Sequence, residues 1–203
     1  MAGAFDSAAH SLHFIVMGIG HRILNRTVAA LFVTVAFSLP VTGENSDRAA
    51  EMLQELPEAE PKEARRLARE IEHEWSKTGS PAMDLLLTRG REALEGGDSR
   101  AAIEHLTALT DHAPKFAEGW HLRAIAFANV DLFGPALDDL ARALALNPDN
   151  FNAMYSLGSV LEEVGHPDLA QDAFERAAAI HPHSEDVTKA LDRVARDTGG
   201  ADL

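Results

Sequence analysis

The chain has 203 residues and no cysteine, which excludes disulfides, thiolate metal sites, a cysteine nucleophile and a lipidated bacterial N-terminus. Acidic residues outnumber basic ones, 32 to 18, for a formal charge of −14, and a surface that negative repels phosphate backbones, which argues against nucleic acid as a partner. With 46% apolar, 25% charged and only 6% aromatic residues, the composition is that of a globular protein that favours helix over sheet.

The first element is an address. Residues 27–41 (TVAALFVTVAFSLPV) form one uncharged apolar run behind Arg22 and Arg26. At about 15 residues it is shorter than the roughly 20 needed to span a bilayer. A basic flank, a short apolar stretch and then Pro40 and Gly43 describe a secretory signal peptide over 1–43. Cleavage is expected after Gly43, with a cut after Ser38 as the competitor. The stretch before the basic patch is long for a signal, and Met17 offers a more conventional start. The alternative is an uncleaved anchor in the inner membrane facing the periplasm, and only then would the membrane be a partner. Either way the bulk of the chain is expected in a bacterial periplasm. No twin-arginine pair is present in this N-terminal segment, so export would be of the unfolded chain.

Residues 44–80 read as a helical pair. In its second helix, Pro61–Lys77, the residues Ala64, Leu67, Ala68, Ile71 and Trp75 make one stripe at helical spacing. Pro57 cuts the first helix short. Counting back 34 from Ala102 lands on Ala68, so the pair has the register of a degenerate repeat ahead of those that follow.

From residue 81 the chain repeats every 34 residues. Pro114, Pro148 and Pro182 share this spacing, and the same shift aligns Gly90, Ala124 and Gly158, then Ala102, Ala136 and Ala170, then Leu106, Leu140 and Phe174. Each unit reads as two amphipathic helices of about 13 residues. The predicted spans are 82–95 with 98–111, 116–129 with 133–146, and 150–163 with 167–180. Gly97, Asp131 and Gly165 fall in the turn inside each pair, where a left-handed residue is wanted. The small column lets paired helices approach, and each proline ends the second helix. Beyond Pro182, residues 183–203 hold a helix capped by Ser184, with Val187, Ala190, Leu191, Val194 and Ala195 on its apolar face, and a short tail. Such a helix would close the last exposed face of a stack.

These columns resemble the tetratricopeptide repeat family. Residues 117–148 carry Trp120, Ala124, Phe127, Ala136, Leu140, Ala143 and Pro148. Residues 151–182 carry Leu157, Gly158, Leu161, Ala170, Phe174, Ala177 and Pro182, and residues 83–114 are a weaker copy with Ala93 in place of an aromatic. The strings LTALTDHAP, FAEGW and IHPH are similar to those of small exported repeat proteins of alphaproteobacteria. The resemblance implies an all-α solenoid of three helix pairs over 81–182, with flanking N-terminal helices and a C-terminal capping helix.

Chemistry is sparse. Seven of the ten histidines follow Gly43, but none are paired four apart on a helix, and His181 and His183 across Pro182 lack further ligands. Nucleophile-elbow and phosphate-loop motifs are absent. The expectation is therefore no enzyme, no metal, no cofactor and no small-molecule substrate. A buried histidine–carboxylate pair in one pocket would instead point to a hydrolase.

What remains is recognition along the first helices of the pairs, which line the concave face of such arrays. The expected inward-facing groove positions are Asp84, Leu87, Arg91 and Leu94, then Glu118, His121, Ile125 and Asn129, then Asn152, Tyr155, Ser159 and Glu162. Tyr155, the single tyrosine, would be a flat amphipathic anchor. Asp84, Glu118 and Glu162 suggest a neutral or basic ligand. Family members that grip acidic chaperone tails use two lysines, two asparagines and an arginine. The matching positions here are Leu87, Arg91, Leu122, Asn152 and Ser156, none of the type needed in its place, so that clamp is absent. The expected function is an exported adaptor of the bacterial cell envelope that binds a peptide or partner helix in this groove. The alternative is an accessory, substrate-presenting subunit of an envelope enzyme complex such as cytochrome maturation or cell-wall machinery.

Overall fold

Small residues and turn formers set the frame. A computed structural model describes residues 43–199, so residues 1–42 of the expected signal segment, the Met17 start among them, lie outside the described residues, as do residues 200–203 of the tail. Among the described residues there are nine α-helices and no strand. They are α1 (Gly43–Glu55), α2 (Pro61–Trp75), α3 (Pro81–Glu95), α4 (Ser99–His112), α5 (Ala117–Ala128), α6 (Phe133–Leu146), α7 (Phe151–Glu163), α8 (Pro167–Ile180) and α9 (Glu185–Gly199). Pro57 sits in a 3₁₀ turn, Leu56–Glu58, that ends α1 as expected.

α3–α4, α5–α6 and α7–α8 are the three helix pairs, and each stacks on the next through α4–α5 and α6–α7. The turns inside the pairs place Gly97 at φ +75°, Asp131 at +59° and Gly165 at +81°, the left-handed conformation that the aligned column anticipates. The small column has a direct cause. A Cβ on Gly90 would lie 2.6 Å from Leu106, and one on Gly158 would lie 2.5 Å from Phe174. Those two large side chains are fully buried and fill the seam between paired helices.

The stack is closed by helices from both ends of the sequence. α9 buries Val187, Ala190 and Val194 beside α8, and Ser184 Oγ accepts the Val187 N–H at 3.4 Å. α1 and α2 form a hairpin that does not stack on α3 as α4 stacks on α5. Met52, Leu56, Ala64, Leu67 and Ile71 instead share one core with Phe151, Met154, Phe174 and Val194 of the third pair and α9. The 34-residue register of Ala68 therefore does not translate into stacking ahead of α3. The reason is topological: with the link Ser76–Ser80 turning at Gly79 (φ +75°), the apolar stripe of α2 is covered by α7–α9. No helix of the described residues is long and apolar enough to cross a membrane.

Candidate binding groove

The first helices α3, α5 and α7 carry most of the expected groove positions in three columns, three to four residues apart, with Leu94, Asn129 and Glu162 beyond them. The column Leu87, His121, Tyr155 stands three residues before the small column, and residues three apart share a helix face. It consequently points toward the seam. Leu87 is only 4% exposed and packs with Ala102, Leu106 and Leu109, so it is a core residue and not a groove residue. His121 is buried between α5 and α7. Tyr155 is half-buried with its ring 5.7 Å from that of Phe174.

Arg91, Glu118 and His121 make a polar network at one end of the groove, and Asn152 bonds separately to α2. Arg91 Nη2 donates to Glu118 Oε1 at 2.9 Å and to Ser76 Oγ, just beyond α2, at 2.8 Å. His121 Nδ1 lies 3.3 Å from Glu118 Oε2, and its Nε2 lies 3.0 Å from Ser156 Oγ. Burial pushes the Glu118 carboxyl up, but His121 and Arg91 outweigh it and hold the group below the ordinary glutamate range. Asn152 Nδ2 donates to Glu72 Oε1 of α2 at 2.8 Å, and Trp75 of α2 packs on Phe151 with centroids 5.3 Å apart. A cleft of about 330 Å³, walled by Ala49, Leu53 and Trp75 on one side and Ala117, Glu118 and Asn150 on the other, runs under the hairpin. This end of the groove is therefore occupied by the chain itself. Sequence reasoning missed Glu72, Trp75 and Ser76 as groove contacts, because a helical stripe predicts burial but not the partner surface.

The other end is open. Ile125 of α5 and Asn129, its C-cap, with Tyr155, Ser156 and Ser159 of α7 border a pocket of about 260 Å³ floored by Ala124, Leu140 and Val160. Ser159 Oγ donates to the Tyr155 carbonyl at 3.1 Å, which leaves the rim polar over an apolar floor. Glu162 does not face this space freely. Arg193 of α9 grips it through Nε and Nη2 at 2.6 and 2.7 Å and lowers its carboxyl. Asp84 accepts from Thr78 Oγ1 at 2.6 Å. Glu118 and Glu162 are thus paired with arginines within the chain, whereas Asp84 accepts from a neutral hydroxyl that leaves its charge in place.

The line Ser156, His121, Glu118 brings a buried histidine within hydrogen-bond reach of a carboxylate, but Glu118 lines the cleft under the hairpin and Ser156 the open pocket, so the three are not gathered in one pocket. Against an ionised carboxylate, Nδ1 must donate, which leaves Nε2 of a neutral ring to accept the Ser156 hydroxyl. Ser156, however, lies in the middle of α7, where the helical ladder takes the neighbouring N–H groups that an oxyanion would need. The described residues hold no group of three or more His, Cys, Asp or Glu placed for a metal ion. His181, buried, sets its ring edge against Phe151 at 5.3 Å.

A tetratricopeptide-repeat family model matches residues 87–129 and 133–185. A tetratricopeptide repeat-containing protein of Rhizobium etli is 27% identical over 143 residues, which span 70% of this chain and 70% of that protein. Among solved structures, MamA is 28% identical and covers 58% of this chain and 68% of its own, with a TM-score of 0.55. The first repeat domain of Spaghetti (RPAP3), solved bound to an HSP90 peptide, is 22% identical over 58% of this chain and 93% of its own, with a TM-score of 0.56, and shares the fold.

Proposed function

We propose that this chain, which carries tetratricopeptide repeats over residues 87–129 and 133–185, works as a non-catalytic adaptor that captures a peptide or partner helix in the groove of α3, α5 and α7. The observation that carries this reading is the open pocket between Ile125, Asn129, Tyr155 and Ser159. Its volume suits one large apolar side chain, and its polar rim suits the backbone around that side chain. Peptide recognition by solved repeat domains such as that of Spaghetti supports the mode, and the absence of the tail-gripping residues argues for a different ligand.

The adaptor is proposed to act in the bacterial cell envelope after export, on the strength of the basic and apolar segment before residue 43. A photo-crosslinking side chain placed at Ser159 in living cells tests both points. It should capture a discrete partner from the envelope fraction, and Ile125→Asp should abolish that capture. Adducts from the cytosolic fraction would end the export proposal, and adducts indifferent to Ile125→Asp would end the pocket proposal. The Ser156–His121–Glu118 line is proposed to tie α5 to α7. A fluorophosphonate probe should leave Ser156 unlabelled, and labelling lost in His121→Ala would replace this reading with hydrolysis.

A further inference from the structure

The hairpin α1–α2 is next to α3 in sequence, yet α2 reaches across the groove. Three contacts define its hold: Glu72 with Asn152, Trp75 with Phe151, and Ser76 with Arg91. The two polar contacts are made by half-buried side chains within reach of water, and the cleft of about 330 Å³ shows that hairpin and repeats are not fully packed there. The apolar stripe Ala64, Leu67, Ala68 and Ile71 is buried all the same, so the surface beneath it cannot be bared without exposing core.

Resting on the groove-binding reading above, we propose that α2 is a resident ligand of its own groove, and that the partner is an amphipathic helix of the same chemistry that takes its place. The occupant specifies what the site accepts. It is a helix with apolar residues at i and i+4 (Leu67, Ile71), a carboxylate at Glu72 and an aromatic ring three residues later at Trp75. A displacing helix must offer the same set, because only an equivalent helix covers Phe151 and Met154 and satisfies Asn152. A peptide of unrelated pattern would leave apolar surface bare and an amide unpaired. The resident helix therefore lowers the apparent affinity for every ligand by the fraction of time it is seated, and selects against ligands that do not match it.

The test uses a fluorescent peptide with the sequence of residues 61–76 and the full chain. Trp75→Ala removes the resident helix's contact with Phe151 and leaves every side chain of α3, α5 and α7 in place, so this variant should bind the peptide at least tenfold more tightly than wild type. The absence of cysteine allows a clean second arm, with cysteines at Glu72 and Asn152 joined by a short bismaleimide. The unbridged form should bind at least tenfold more tightly than the bridged form. This pair decides the matter if Trp75→Ala fails to fold. Equal affinities within both pairs, in chains that remain helical by circular dichroism, would overturn the proposal. Those equal affinities alongside intact capture at Ser159 would leave the adaptor reading standing. Loss of Ser159 capture with the tenfold differences present would do the reverse.

Discussion

The two ends of the groove are built from the same columns of the same repeat, and they differ in what covers them. At one end Arg91 hydrogen-bonds to Glu118 and Ser76, and Asn152 to Glu72. At the other end Ile125, Asn129 and Ser159 border open space. The difference does not lie in the repeat, whose turns and seams are alike throughout. It lies in the hairpin, which lays a buried stripe over one end and stops short of the other. A concave repeat surface is thus not a ligand site by default, because non-repeat helices decide how much of it remains available.

Truncation should expose this contrast most strongly. Ile71 on α2 is fully buried, whereas Ile125 is half-buried at the pocket rim. Removing a buried isoleucine to its Cβ costs about 3 kcal/mol through lost transfer energy and the cavity left behind. Ile71→Ala is expected to lower the urea-unfolding free energy by that amount and to speed amide exchange in α1 and α2. Ile125→Ala should cost less than half as much. Equal costs would mean that the hairpin is not anchored through the shared core.

Each end is also fastened by one glutamate whose pKa is lowered, Glu118 by His121 and Arg91 against its burial and Glu162 by Arg193. The sign follows from linkage. A carboxyl with a lower pKa in the folded state stabilises the fold above its unfolded value, near 4.5, and that contribution is lost as pH falls through the folded value. Glu118→Gln should cost about 2 kcal/mol at neutral pH, the scale of a charge-assisted hydrogen bond in a part-buried site. The gap between variant and wild type should then close as the solution is acidified below the ordinary glutamate range. A gap that persists unchanged into acid would show that Glu118 acts by packing and not by charge.

The contrast was only partly legible in the sequence, and the reason is the range of the interactions involved. The 34-residue columns report contacts within one helix pair, so Gly90 against Leu106 and the left-handed turn at Asp131 could be read from spacing alone. The groove columns were harder, because a shift of one helical face separates seam from surface. Leu87 fell into the core, while Ile125, four residues beyond His121, stayed on the rim. The docking of α2 was not legible. Leu67 and Ile71 announce a buried face, but their cover is contributed by residues 80 or more positions away, such as Phe151 and Val194. No periodicity in a single sequence encodes that choice.

The smallest expected effect concerns the open end alone. Asp131 holds φ +59° in the turn between α5 and α6, where the other two pairs use glycine, and it borders a recess with Asn129, Phe133 and Ser159. An L-residue with a Cβ gives up roughly 1–2 kcal/mol in this conformation, and aspartate loses less than most. Glycine removes that strain but frees the unfolded chain, which returns about 0.5–1 kcal/mol. Asp131→Gly should therefore stabilise the chain by no more than about 1 kcal/mol, seen as a small rise in the urea midpoint. Asp131→Val, which adds a branched Cβ to the same strained backbone, should move the midpoint the other way. Exchange protection in α2 should not change in either variant, because the turn lies at the end of the groove that the hairpin leaves open. A change in α2 protection would mean that the two ends communicate through α5, and the groove would then respond as one unit instead of two.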